Sequence, residues 1–149
     1  MVLSLDPSLR ATGWSVFDHN QLIDYGCIVT KKGSGFADLE KIAVTLVSLI
    51  SKYSITEILF EYPAGSKSSV AAAALAAVKG IVIGIAFSHS ITPKDLKARQ
   101  VKKYLGVNSA EKEDVFVEVT KRYLFSYKNK VHKYAISDAI GIFICYKGL

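Results

Sequence analysis

The feature that most constrains this chain is its opening stretch, Met1–Phe17. An apolar run, Val2-Leu3-Ser4-Leu5, ends in a carboxylate, Asp6. A turn-rich segment, Pro7-Ser8-Leu9-Arg10-Ala11-Thr12-Gly13, leads to a second apolar run, Trp14-Ser15-Val16-Phe17. The pattern predicts two strands of a hairpin with Asp6 at the tip of the first. A charge next to so apolar a run needs a partner, because burying it alone is costly. A metal ion or a hydrogen-bonding turn at Pro7-Ser8 would each serve.

The rest of the chain extends a sheet. Leu22–Thr30 reads as a third strand, Lys31–Gly35 as a loop, and Asp38–Tyr53 as an amphipathic helix. Its apolar face holds Leu39, Ile42, Ala43, Leu46, Leu49 and Ile50, the helical spacing. Ile55–Glu61 reads as a short strand buried on both faces, because Ile58-Leu59-Phe60 is continuous and apolar. It too ends in an acid, Glu61, before the breaker Pro63. An alanine-rich helix is expected from Ser69 to about Ile85, and a short strand at Ile91 before Pro93. Helices follow at Lys97–Leu105, Ala110–Leu124 and Lys133–Tyr146, the last apolar nearly all round but for Asp138. Hairpin strands followed by alternating strands and helices imply an α/β fold: a mixed five-stranded sheet flanked by helices, in one domain over residues 1–149. In such sheets chemistry gathers at strand ends.

Composition narrows the partners. Residues 91–133 hold eleven Lys/Arg and five Asp/Glu, while the rest of the chain holds eight of each. The whole excess of +6 sits in one segment, which is the footprint of a polyanion-binding surface. The apolar stretch Ser69–Ser88 contains Lys79 and two glycines and reads as a buried helix, not a membrane span. Cys27 and Cys145 lie in apolar runs and suit a reducing, cytoplasmic setting, in a cell, an organelle or a phage-infected host. Asp6, Glu61 and Asp138 share one oddity: each interrupts or ends an apolar element. Brought together, three carboxylates need protons or cations, and hard divalent cations prefer such oxygen ligands. Two such ions can activate a water and stabilise the leaving oxygen of a phosphodiester.

These residues resemble the RuvC family of Holliday-junction resolvases, which have the RNase H-like fold. LSLDPSLRATGWSVF resembles the family's first block, an apolar strand and then D-P-G-S-x-x-T-G-[YW]. Tyr25–Lys31 resembles its G-x-I-x-T segment, and Ile58-Leu59-Phe60-Glu61 the strand ending in its second acid. Arg99-Gln100-Val101-Lys102 and Ser109-Ala110-Glu111-Lys112 resemble two basic motifs, and Ser137-Asp138-Ala139-Ile140 the A-D-A-L of the last helix. The resemblance implies that Asp6, Glu61 and Asp138 are metal-binding catalytic carboxylates. It implies that Lys102 and Lys112 contact DNA phosphates, with Lys112 assisting cleavage. It implies an Mg²⁺-dependent endonuclease, with two ions and with Mn²⁺ able to substitute, acting on four-way junctions as a homodimer. The alanine-rich helix is the expected dimer interface. Lys103, Arg99, Tyr62, Lys67 and Arg10 complete the expected DNA contacts, with Arg99 bracing either the fold or a phosphate.

Two departures stand out. The family's fourth ligand lies three residues before the last acid, where this chain has Ala135. His132 is the nearest substitute, although on a regular helix six residues turn ~600° and separate the two faces; it would reach the site only if the helix began after it. The aromatic that bacterial members place three residues after the second acid is replaced by Ala64, leaving Tyr62 to stack on unpaired bases. The competing readings are a nuclease of the same fold on other branched DNA or RNA–DNA hybrids, and a junction-binding protein with an impaired site.

Overall fold

A computed structural model describes residues 1–31, 36–62, 68–107 and 111–149. The expected loop around residue 33, Lys67, Ala64 and the start of the Ala110 helix fall wholly or partly outside them. Ten elements follow one another: β1 (Val2–Asp6), β2 (Ala11–Asp18), β3 (Gln21–Val29), α1 (Phe36–Tyr53), β4 (Glu57–Tyr62), α2 (Ser69–Ser88), β5 (Lys94–Lys97), α3 (Ala98–Tyr104), α4 (Lys112–Thr120) and α5 (Lys130–Lys147). The sheet order is β3-β2-β1-β4-β5. β1 and β2 pair antiparallel, as do β2 and β3, while β4 lies parallel to β1 and to β5. The expected mixed α/β sheet is therefore present.

Strand alternation sorts side chains between two cores. Leu3, Leu5, Ile58 and Phe60 point to one face, where α1 and α2 supply Ile42, Leu46, Val78 and Val82. Val2, Phe17 and Leu59 point to the other, where α5 supplies Ile136, Ile140 and Phe143. Phe17 stacks flat on Phe143 at 3.5 Å between ring centroids. Beside it, Gly13 lets α5 come down onto β2: a Cβ there would fall 1.9 Å from the Ala135 carbonyl oxygen. Ser4 donates to the Ala139 carbonyl at 2.7 Å, a second tie between sheet and helix.

Several elements differ from expectation. Ile91 is buried but not in a strand, because its N–H is taken by the Ala86 carbonyl at the end of α2, 2.9 Å away. The fifth strand starts after Pro93, which has no N–H to give to a ladder. α4 ends at Thr120 instead of Leu124; the next turn closes on Val119, and the Tyr123 hydroxyl donates to the Asn20 carbonyl at 2.8 Å. α2 is also less buried than a core helix. Only Val78, Val82 and Ala86 are fully buried, and Val70 and Phe87 are largely exposed. By length and composition alone α2 could cross a membrane, but its buried stripe packs on α1.

Candidate active site

β1 and β4 run parallel, with Leu5 opposite Phe60. The next residue on each strand is an acid, Asp6 and Glu61. Each is in phase with the residues that face α5: Ser4 on β1, Leu59 on β4. α5 carries Asp138 directly before Ala139, whose carbonyl is held by Ser4. The three acids thus meet at the C-terminal edge of two parallel strands, under a helix held close by Gly13.

Their electrostatics report the meeting. Burial raises the Asp6 carboxyl well above its usual range, and the charges of Asp138 and Glu61 raise it further against an opposing Lys112. Glu61 is pushed up to about 7, chiefly by burial and then by Asp138, with Lys102 and Lys112 pulling the other way. Asp138 is raised by burial and partly relieved by Lys112 and Lys102. Lys112 Nζ donates to Asp138 Oδ2 at 3.1 Å. Burial would lower the Lys112 ammonium, but Asp138, Asp6 and Glu61 together leave it raised. Two lysines therefore face three acids, so full ionisation of the acids would leave negative charge in excess and the metal-free site holds protons instead.

An all-oxygen set of crowded acids, which a cation could relieve by replacing their protons, has the chemistry that hard divalent cations select. Among the described residues, no three His, Cys, Asp or Glu side chains stand close enough to hold one ion as they are placed. The acids feel one another without forming a closed ligand cage. Donor type and charge fit a divalent cation; ligand closure would have to accompany binding.

The other expected site residues separate into groups. Lys102 on α3 is within electrostatic reach of Glu61 and Asp138; Arg99 and Lys103 are on the same helix and exposed. His132 does not join the acids. Asn129 accepts from the Val131 and His132 N–H groups at 3.0 and 3.1 Å, so the helix starts at Lys130 and His132 lies within its first turn. It lines a cavity of about 570 Å³ at the β3 edge, with Trp14, Tyr25 and Tyr127. Ala135, where a fourth ligand was expected, is buried against Gly13. Tyr62 alternates away from Glu61 and is half exposed, with Lys79 Nζ 3.1 Å from its ring centroid. Arg10 is engaged internally: its Nη1 donates to Asp38 Oδ2 at 2.8 Å, to the Lys31 carbonyl at 2.5 Å and to Thr30 at 3.2 Å. Sequence reasoning passed over Ser4 and Gly13, which seat α5 beside the acids, and Asp38, which holds Arg10. Gly13 was read as the end of the turn before the second strand, but it lies inside β2.

A family model, Crossover junction endodeoxyribonuclease RuvC, matches residues 2–146. The chain belongs to the RuvC family. A curated relative from Ehrlichia ruminantium (strain Welgevonden), named crossover junction endodeoxyribonuclease RuvC, is 28% identical over 154 aligned positions, spanning 97% of this chain and 94% of the relative. One of the same name from the Wolbachia endosymbiont of Brugia malayi is 26% identical over 151 positions, with 97% and 92% covered. The fold is also that of Thermus thermophilus RuvC solved with a Holliday junction substrate, at TM-score 0.81, 16% identity and coverage of 98% and 91%. Fowlpox virus resolvase, solved with Holliday junction DNA, shares it at TM-score 0.63 and 13% identity, with both chains fully covered. The RuvC family is one of endodeoxyribonucleases, and this chain is an enzyme of that class.

Proposed function

We propose that this chain is a Mg²⁺-dependent, structure-selective endonuclease that resolves four-way DNA junctions by paired, symmetric nicks. The observation that carries the reading is the meeting of Asp6, Glu61 and Asp138 at one sheet edge, where burial and, for Asp6 and Glu61, neighbouring carboxylates raise their carboxyls. Asp6, Glu61 and Asp138 would hold the ions, two in the full site, with Mn²⁺ able to replace Mg²⁺. Bound there, the metal would supply an activated water and stabilise the leaving oxygen. Lys112 orients Asp138 through its hydrogen bond and adds positive charge where phosphate would sit. Lys102, Lys103 and the exposed Arg99 extend that charge along α3. Lys67 and Tyr62 are proposed to meet DNA beyond Glu61. Arg10 is assigned to the fold through Asp38, and His132 to the β3 cavity, not to the metal.

A four-way junction presents two equivalent strands, so a two-fold dimer supplies two sites. The exposed apolar residues of α2, Val70 and Phe87 among them, suit a second copy better than water. The expected setting is the cytoplasm. The test is gel cleavage of a mobile junction with Mg²⁺, beside light scattering. Paired nicks by a dimer support the reading; nicking of flaps or hybrids in preference to junctions overturns it. One observation favours a second reading: Ala135 is buried where a fourth ligand would stand. A junction-binding protein with an impaired site would bind tightly without metal and make no nicks in Mg²⁺ or Mn²⁺.

A further inference from the structure

Lys112 stands at the first position of α4, on a long side chain that is 59% exposed. A flexible, exposed lysine holds one geometry only if its backbone is fixed. α4 by itself is a poor anchor. It has nine residues and only Val115 and Val119 are buried, and helices this short are marginal without tertiary support.

The support comes from the next residue. Glu113 Oε1 and Oε2 accept from Lys133 Nζ at 2.6 and 2.8 Å, and Oε2 also accepts from the Tyr134 hydroxyl at 2.9 Å. Lys133 is not a loose surface cation. Its side chain is 14% exposed, and its Nζ lies 4.0 Å from the ring centroid of Phe116, one turn along α4, and 5.8 Å from that of Tyr127. Lys133 thus reaches into a socket made by α4 itself. Two consecutive residues of α4 grip α5 at separate places: Lys112 at Asp138, and Glu113 at Lys133 and Tyr134. Lys133 lies in the basic segment, but its charge is already answered by Glu113.

We propose that Glu113 is a positioning residue: clamped by Lys133 and Tyr134, it fixes the first turn of α4 so that the Lys112 ammonium stands on Asp138. This rests on the reading of the three acids as a nuclease centre. Glu113 touches no reacting atom; it acts through Lys112. A displacement of about 1 Å near a reacting centre can cost ~100-fold in rate.

The experiment is a double-mutant cycle in single-turnover junction cleavage, with junction affinity measured separately in EDTA. Glu113→Ala is expected to slow nicking ten- to a hundredfold with junction affinity within twofold of wild type, and Glu113→Gln, which keeps the acceptor oxygen, to fall between. In a Lys112→Ala background, Glu113→Ala is expected to cost less than twofold more. Acetylation footprinting of Lys112 reads the same clamp without activity: its labelling rate should rise several-fold in Glu113→Ala. If the Glu113→Ala penalty persists undiminished beside Lys112→Ala, or if Lys112 labelling is unchanged, the positioning role is overturned. If wild type makes no nicks but Glu113→Ala still exposes Lys112 to labelling, the clamp stands and the nuclease reading falls.

Discussion

Glu61→Gln should make the metal-free protein more stable while abolishing its proposed chemistry. Glu61 ionises at about 7 in the fold, against an ordinary glutamate near 4.3 in the unfolded chain. The folded state therefore holds a proton that the unfolded chain releases. Between about pH 4.5 and 7 the folded state binds more protons, so stability falls as pH rises through that window. Above it the ionised Glu61 opposes folding by on the order of 3 kcal/mol, at ~1.36 kcal/mol per tenfold. Glutamine has the same shape and no charge. The expected gain is about 1–3 kcal/mol at pH 8, because solvent still reaches part of Glu61 and because Lys102 and Lys112 lose a partner. For a chain of this size that is a rise in Tm of ~3–10 °C. The assay is thermal unfolding by circular dichroism in EDTA at pH 8 and pH 4.5. The gain should vanish at pH 4.5, where wild-type Glu61 is itself neutral. Adding Mg²⁺ at pH 8 should raise wild type more than the variant and narrow the gap, since a ligand that binds only the folded state stabilises it. An equal Tm at pH 8, or a gain that persists unchanged at pH 4.5, would refute the electrostatic argument.

Asp6→Asn should keep junction binding and lose nicking by more than ~100-fold, the upper end of what loss of a supporting partner of a metal ligand costs, read by gel shift and gel cleavage on the same samples. Gly13→Ala should cost ~3 kcal/mol or more in urea unfolding, because its Cβ meets the Ala135 backbone and not a side chain that can turn aside. Arg10→Ala should lower stability by about 1–3 kcal/mol, since it strands the buried Asp38 carboxylate; unchanged stability with weakened DNA binding would return Arg10 to the interface. Ser15→Ala should be neutral or stabilising by up to ~1 kcal/mol, because its buried hydroxyl has no hydrogen-bond partner among the described residues.

The sheet was legible because its signals are local. Val2–Leu5 and Ile58–Phe60 are continuous apolar runs, and Ile42, Leu46, Leu49 and Ile50 repeat at helical spacing, so strand, strand and helix follow from periodicity alone. The acids were legible for a related reason: a charge ending an apolar run has few bland explanations. Partnerships between distant residues left no such trace. Arg10 reads as one more basic side chain until Asp38, twenty-eight positions away, is seen to be buried beneath it. The start of α5 depended on Asn129 accepting from two N–H groups, and that cap carries His132 onto the helix and away from Asp138. Ile91 misled because its hydrophobicity serves the core while its N–H closes α2.

Ala135 and Gly13 have to be read together. Gly13 lets the α5 backbone at Ala135 approach β2 more closely than any side chain at position 13 would permit. That approach brings Asp138, one turn further along α5, over the ends of β1 and β4. That contact uses only backbone atoms of Ala135, but Ala135 itself is buried, so an acid at position 135 would carry its charge into a packed site unless a metal or a proton answered it. If packing is what Ala135 serves, Ala135→Asp should lower Tm in EDTA and fail to raise nicking, whereas a simply missing ligand predicts faster nicking at low Mg²⁺. Cleavage measured against Mg²⁺ concentration for wild type and Ala135→Asp separates the two, and faster nicking with an unchanged Tm would refute the packing argument.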